Sequence, residues 1–130
     1  MQYPSPVNII EPLARFVLER SKFRPSDNTA RHSLFLPAPD NVLSVFRILD
    51  LDETEVFSLG EEYVGVPQAK PVIAYAALVA QDFLMEGLVL TPTVDPHPRH
   101  VDIVGWNDKV QNLHKAQILA SKSTLVLRRT

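Results

Sequence analysis

The sequence predicts an α+β fold: a single domain over residues 1–130, with a mixed or mainly antiparallel sheet and three to four helices. The length of 130 residues and the 45% hydrophobic content suit one core. Helical apolar spacing interleaves with short β-rich runs. A doubly wound fold alternates strands and helices along the chain. This alternation is broken twice, because residues 33–48 and 88–105 each contain two successive predicted strands. No glycine-rich phosphate loop follows any of these runs.

The helix with the strongest local signals is predicted over residues 52–64. Asp52 and Glu55 have the spacing of a capping box, and Leu51 with Val56 has that of a hydrophobic staple. Recurring apolar positions on one face predict three further helices. These lie over residues 12–22, 75–86 and 108–122.

Short β-rich runs between these helices predict the strands of the sheet. They lie over residues 33–36, 43–48, 71–74, 88–94, 100–105 and 124–127. Eleven prolines limit where helices and central strands can run. Residues 1–10 precede the first predicted helix and form a candidate flexible N-terminal arm.

The composition excludes several classes of protein. There is no cysteine, so disulfides, thiolate metal sites and a cysteine nucleophile are excluded. The longest apolar run, over 72–80, is far shorter than the ~20 residues needed to cross a bilayer. The N-terminus has no basic region followed by an apolar core. We therefore expect a soluble, cytoplasmic protein with no membrane partner.

The net charge of −2 hides an uneven distribution along the chain. Residues 13–47 carry six Lys or Arg against three acids, and residues 97–130 carry six against two. Residues 50–62 carry six acids and no base. The chain lacks the basic excess of a typical nucleic-acid binder, but its two outer regions can still form a local basic surface.

A candidate site lies in DPHPRHVDIVGW, residues 95–106. If HVDIVG, residues 100–105, is a strand, His100 and Asp102 lie on one face, ~6.5–7 Å apart. Four interpretations stay open: an acid–base centre in which Asp102 orients His100, an anion clamp of Arg99, His97 and His100, a metal site, and a solvated polar turn. Because no HExxH or comparable motif is present, no metal and no cofactor is predicted.

Two other basic features are candidates for ligand binding. Arg47 ends the apolar run 43–48, and a buried arginine needs a carboxylate or a bound anion nearby. The alternative is an arginine at the rim of the sheet. The segment SKFRPSDNTARH places Arg24 and Arg31 around Phe23, a pattern that can hold a phosphate backbone and stack a base. A polar loop is the alternative there.

Three segments together resemble a group of small bacterial proteins of unassigned activity. They are SVFR at 44–47, LDETEVFSLG at 51–60 and RHVDIVGW at 99–106. The resemblance spans most of the chain after Ser21. It implies a stand-alone, cytosolic bacterial protein and assigns no role to any residue.

These features predict a small soluble domain that binds an anionic, phosphate-bearing ligand such as a nucleotide or RNA. Arg47, Arg99 and His100 would converge on one pocket, with phosphodiester cleavage as the reaction to test and His100 and Asp102 as its catalytic residues. Whether the protein is an enzyme stays open. The alternative is a non-catalytic interaction or inhibitor protein, whose acidic surface at 50–62 faces a basic protein partner beside an exposed apolar patch.

Overall fold

A computed structural model describes residue 3 and residues 5–129 of the chain. The strands are β1 Pro12–Val17, β2 Phe23–Arg24, β3 Thr29–Ala30, β4 Leu43–Arg47, β5 Ala74–Val79, β6 Val89–Pro92, β7 His100–Val104 and β8 Thr124–Leu127. The helices are α1 Glu53–Gly60, α2 Val66–Gln68, α3 Ala80–Leu84 and α4 Lys109–Lys122. A π-helical turn over Glu61–Gly65 joins α1 to α2, and 3-10 turns lie at Arg20–Lys22 and His32–Phe35.

Six strands form one antiparallel sheet in the order β6-β7-β4-β1-β5-β8, and β2 pairs with β3 in a separate hairpin. Since β4 and β5 both run antiparallel to β1, they are parallel to each other, and the chain joins them through α1. By the same reasoning β7 and β8 are parallel, and α4 joins them. The predicted α+β class, with a mainly antiparallel sheet, is confirmed.

Both faces of the sheet carry a hydrophobic core. Leu13 and Val17 of β1 belong to a cluster that includes residues of α4, whereas Ala14 and Phe16 belong to one that includes residues of α1. We call these the α4 face and the α1 face. A central strand covered on both faces is apolar at nearly every position, and only Arg15 interrupts the run LARFV in β1.

The elements with strong local signals form as predicted. Glu55 N donates to Asp52 Oδ1 at 2.8 Å and Asp52 N donates to Glu55 Oε1 at 3.0 Å, which is the predicted capping box of α1. Asp108 caps α4 by accepting from Gln111 N. The strands predicted near 43–48, 88–94, 100–105 and 124–127 are also present.

Four predicted elements are wrong. The helix predicted over 12–22 is strand β1 followed by a 3-10 turn, because the strand is buried on both faces and its apolar residues also fit helical spacing. The helix predicted over 75–86 begins as strand β5, which pairs with β1 and β8. Residues 33–36 lie in a 3-10 turn, and only Ala74 of the predicted strand 71–74 joins the sheet.

The described part of the predicted N-terminal arm is attached to the domain by hydrogen bonds. Arg47 donates to the Ser5 and Pro6 carbonyls. Ile9 O accepts from Gln81 N at 2.8 Å. This segment therefore lies along the end of the sheet and contacts one of the predicted site residues. Among the described residues no helix is long and apolar enough to cross a membrane.

Candidate functional site

Strand β7 places His100 on the α1 face of the sheet. His100 lies opposite Phe46 of β4, and Asp102 lies opposite Ser44. Directly opposed residues of an antiparallel pair lie on the same face. His100 and Asp102 therefore share the face that carries Phe46, as the strand interpretation of HVDIVG predicts.

The imidazole of His100 is buried and held in one orientation. The residue is 7% exposed, and its ring packs edge-on against Phe46 with centroids 5.2 Å apart. Nδ1 lies 2.6 Å from Thr93 Oγ1, whose hydroxyl donates to Asp95 O at 2.9 Å. Because a hydroxyl has a single proton, Thr93 Oγ1 accepts from Nδ1–H. We therefore assign the tautomer in which Nε2 carries the free lone pair.

Burial keeps His100 neutral at neutral pH. It lowers the pKa of the imidazole below its usual value, and this effect outweighs the opposite influence of Asp102. The Asp102 carboxylate lies 3.6 Å from Nδ1 and is partly exposed. Thr93, rather than the predicted Asp102, makes the short hydrogen bond that orients the ring.

A cavity of about 260 Å³ lies beside His100 on this face. Its polar walls come from three strands and from the helical segment after α1, and two phenylalanine rings form an apolar wall. The lining includes Arg15, Phe16, Ser44, Phe46, Tyr63 and His100. The cavity is thus bordered by a cation, a neutral imidazole and aromatic rings.

Arg15 is the cation of this cavity, and the chain gives it no acidic partner within the described residues. The ladder between β1 and β4 pairs Leu13 with Arg47 and Ala14 with Phe46 and goes no further. Arg15 follows Leu13 on the α4 face, and its guanidinium reaches the cavity beside His100 where this ladder ends. Nη1 donates to Ser44 O and Nε to Leu34 O, both at 3.0 Å. Burial lowers the pKa of Arg15 to about 10.

Arg47 is not at the rim of the sheet. It is 0% exposed and forms a buried ion pair with Glu11, with Nη2 2.7 Å from Glu11 Oε1. It also donates to the Ser5 and Pro6 carbonyls and to Ser5 Oγ. The sequence analysis expected either a carboxylate or a bound anion beside a buried Arg47. The partner is a carboxylate of the chain itself, that of Glu11.

The predicted convergence of Arg47, Arg99 and His100 on one pocket is wrong. Arg47 follows Leu43 and Val45 on the α4 face, which is the face opposite to His100. Arg47 and Arg99 do meet, because their guanidinium carbons lie 4.3 and 4.9 Å from the centroid of the Tyr3 ring. The N-terminal segment therefore occupies the place where an anion was expected.

Arg99 and His97 have partners within the chain. Arg99 Nη1 donates to the carbonyls of Arg47 and Leu49 at 3.3 and 3.1 Å. His97 Nδ1 accepts from Arg99 N at 3.0 Å, and its ring lies 4.7 Å from that of Tyr63, a cavity residue. Burial and the charge of Arg99 lower the pKa of His97. His97 thus contacts the wall of the cavity, while Arg99 lies outside its lining.

Arg24 and Arg31 lie on the β2–β3 hairpin and do not line this cavity. Arg24 Nη1 donates to Thr29 Oγ1 at 3.3 Å, and Arg31 Nε to Phe23 O at 3.4 Å. Both arginines are exposed, but Phe23 is only 5% exposed. The predicted stacking of a base on Phe23 is therefore wrong.

The acidic run at 50–62 is largely engaged in intramolecular contacts. Asp52 and Glu55 form the capping box of α1. Glu61 pairs with Arg128 at 2.7 Å. Hydrogen bonds from the Val72 N–H and from Arg128 lower the pKa of the Glu61 carboxyl group. An exposed apolar groove of about 620 Å³ lies between α3 and β6 instead, lined by residues such as Leu84 and Val89.

Arg15 and Tyr63 border the cavity but are not among the site residues predicted from the sequence. The signal for Arg15 was present, since it is the only charge in PLARFV. Assigning 12–22 to a helix removed that signal, because a single arginine on an amphipathic helix is ordinary. Tyr63 lies in the helix predicted over 52–64, and its contact with His97 depends on the tertiary fold.

The described residues contain no group of three or more His, Asp or Glu side chains placed to hold a metal ion. No family model, curated protein or solved structure matches the chain. The resemblance to small bacterial proteins therefore stays a prediction. The geometry of the cavity is the basis for the function that follows.

Proposed function

We propose that this protein binds a small phosphate-bearing ligand in the cavity between Arg15 and His100. The observation that carries the proposal is Arg15: a half-buried guanidinium that borders a cavity and has no carboxylate partner among the described residues. Arg15 would bind the anion, and His100 would accept a hydrogen bond from a neighbouring group of the ligand.

The charge of Arg15 is incompletely compensated by the chain. A guanidinium has five N–H donors, and the two main-chain carbonyls engage only two of them. A half-buried charge without a counter-charge loses part of its hydration and gains no ion pair in return. A bound phosphate would supply the charge and accept two parallel hydrogen bonds from the planar fork.

The remaining walls narrow the chemistry of the ligand. His100 is neutral with its Nδ1 engaged by Thr93, so its Nε2 can accept a proton from a hydroxyl or N–H group. Phe16 and Phe46 are 5% and 2% exposed, so they offer a small apolar contact suited to a sugar rather than an open face for a base. A sugar phosphate combines an anion with hydroxyl donors at a size that suits a volume of about 260 Å³. Nucleotides and RNA ends carry this group.

Phosphodiester cleavage is the second candidate function. A neutral imidazole with a free Nε2 can remove a proton from the hydroxyl or water that attacks phosphorus, while the guanidinium stabilises the negative charge on the phosphoryl oxygens. The P–O bond to the ester oxygen breaks as the new bond forms, and the leaving oxygen takes the proton from the imidazolium or departs as an anion. Hydrolysis of bis(p-nitrophenyl) phosphate by the wild type and by His100→Gln tests this step. Equal rates for the two proteins would leave binding as the only activity.

Binding is tested by calorimetric titration of ribose 5-phosphate into the wild type and Arg15→Met. Methionine keeps much of the apolar length of arginine but removes the cation. We expect the variant to bind at least about tenfold more weakly, which corresponds to about 1.4 kcal/mol. Arg31→Met is the matched control, because it removes the same charge from an exposed hairpin position. Equal affinity of the wild type and Arg15→Met would refute the proposal.

A further inference from the structure

A second cleft, of about 630 Å³, lies between the β2–β3 hairpin and the end of β8. Its lining contains three arginines and no acid. The arginines are Arg20, Arg128 and Arg129, and apolar lining is contributed by Phe23, Ile73 and Leu127. This cleft shares no lining residue with the cavity of Arg15 and His100.

The fold creates this cleft by bringing the two basic regions of the sequence together. Arg20 comes from the 3-10 turn before β2, in the first third of the chain. Arg128 and Arg129 follow β8, the strand at one edge of the sheet. A main-chain hydrogen bond joins this segment to Ile73, which also lines the cleft: Arg128 N donates to Ile73 O at 2.9 Å.

The three arginines differ in how far the chain engages them. Arg128 is fixed, because its Nη1 donates to Glu61 Oε2 at 2.7 Å and to Val72 O at 3.1 Å. The side chain of Arg129 is 87% exposed and lies 3.5 Å from Glu53. Arg20 is exposed and makes no ion pair within the described residues. Two guanidinium groups at the rim are therefore accessible to a ligand.

The apolar wall indicates what accompanies the anion. Leu127 is 39% exposed, and Ile73 is partly buried. Phe23 is only 5% exposed, so the cleft presents edges of aliphatic and aromatic carbon without an open ring face. Single-stranded nucleic acid binds through stacking on such faces, and this cleft does not offer one. A ligand with an aliphatic body and an anionic end matches both features.

We infer that this cleft binds an amphiphilic organic anion, in which an aliphatic chain is joined to a phosphate or carboxylate group. The chain would lie against Ile73 and Leu127, and Arg20 and Arg129 would hold the anionic end. Guanidinium groups bind both oxyanions through paired hydrogen bonds. Because the two sites share no residue, this inference is independent of the function proposed for the Arg15 cavity.

The test uses octyl phosphate, octanoate, octanol and inorganic phosphate as probes of the full chain, with backbone amide shifts as the readout. We expect the two amphiphilic anions to bind at least about tenfold more tightly than octanol or inorganic phosphate. The largest shifts should fall at residues 72–73 and 127–129. Tighter binding of octyl phosphate would identify a phosphate ester as the preferred end group, and equal binding would show that a carboxylate suffices.

Two double variants separate this site from general electrostatic attraction. Arg20→Gln with Arg129→Gln should weaken octyl phosphate binding at least about tenfold. Arg24→Gln with Arg31→Gln removes the same charge from the hairpin outside this cleft and should leave it unchanged, as should Arg15→Met. Octanol or inorganic phosphate binding as tightly as octyl phosphate would overturn the inference, and so would unchanged affinity in the first double variant or a loss in Arg15→Met.

Discussion

Two arginines on neighbouring strands of one sheet have opposite environments. Arg47 is fully buried against Glu11 and the carbonyls of the N-terminal segment. Arg15 has two main-chain carbonyls, no acid among the described residues and a cavity beside it. The difference teaches that burial of a charge does not by itself indicate a binding site. Arg47 holds the fold together, whereas Arg15 has donors left over for a ligand.

The largest loss of stability is expected at Arg47, whose charge is compensated by Glu11. Arg47→Met leaves the carboxylate of Glu11, only 2% exposed, without its counter-charge. Breaking a buried ion pair in this way costs about 3–5 kcal/mol. Urea unfolding followed by circular dichroism measures the change in the free energy of unfolding. A loss below about 1 kcal/mol would mean that the pair is not a structural element.

The partner of this pair offers the matched control. Arg47→Met combined with Glu11→Leu replaces both charges by apolar side chains, and such replacements are often neutral or stabilising. We expect the double variant to recover most of the stability lost in Arg47→Met. If it is no more stable than the single variant, the defect comes from packing or from the Ser5 and Pro6 contacts instead.

Arg15→Met should change stability far less, within about 1 kcal/mol of the wild type. Removing an uncompensated buried charge is favourable, and losing two hydrogen bonds of about 1 kcal/mol each is unfavourable, so the two effects partly cancel. The same urea experiment measures it. A loss as large as that of Arg47→Met would show that Arg15 is structural and would remove the contrast between the two arginines.

The pH dependence of stability tests the neutral state of His100. Because burial lowers its pKa in the folded protein, the unfolded chain takes up the proton first as pH falls. The contribution to stability is fully present above pH ~6.5 and is lost as pH falls from there through the folded pKa. His100→Gln should therefore lose less stability between pH 7 and 5 than the wild type. His97→Gln serves as a comparison, since the pKa of His97 is lowered too.

Anion binding should also depend on the protonation of His100. A bound anion near His100 favours the protonated imidazole, so binding takes up a proton and affinity should rise as pH falls below neutrality. Sulfate is a suitable probe because its charge is constant over this range. Asp102 faces the imidazole and Arg15 borders its cavity, and with a pKa of about 10 Arg15 keeps its charge over this range. Calorimetry on the wild type and His100→Gln compares the two slopes, and equal slopes would exclude His100 from the site.

The sequence specified the elements whose signals are local and missed those decided by tertiary contacts. Asp52 and Glu55 are three residues apart, so the capping box of α1 could be identified directly. The residues of β1 fit a helix as well as a doubly buried strand, and pairing with β4 and β5 decides between them. That choice also determined whether Arg15 appeared as a surface residue or as an interior charge.

The candidate site was predicted in part for the same reason. The strand periodicity of HVDIVG correctly placed His100 and Asp102 on one face. The partner of Arg47 is 36 residues away along the chain, so the sequence could require a counter-charge without identifying Glu11. Which face of the sheet Arg47 occupies relative to His100 depends on the register between β4 and β7, and no local signal encodes that register.

The smallest effect is expected at Asp102, the residue that the sequence suggested would orient His100. Its carboxylate raises the pKa of His100 from 3.6 Å away, but Thr93 makes the closer contact, at 2.6 Å. Asp102→Asn should therefore lower the pKa of His100 slightly further and leave ring orientation and sulfate affinity at pH 8 nearly unchanged. Thr93→Val should alter both, because the orienting acceptor is lost. Imidazole proton shifts followed from pH 4 to 8 compare the two variants. If Asp102→Asn displaces the ring signals more than Thr93→Val does, the carboxylate orients His100 after all.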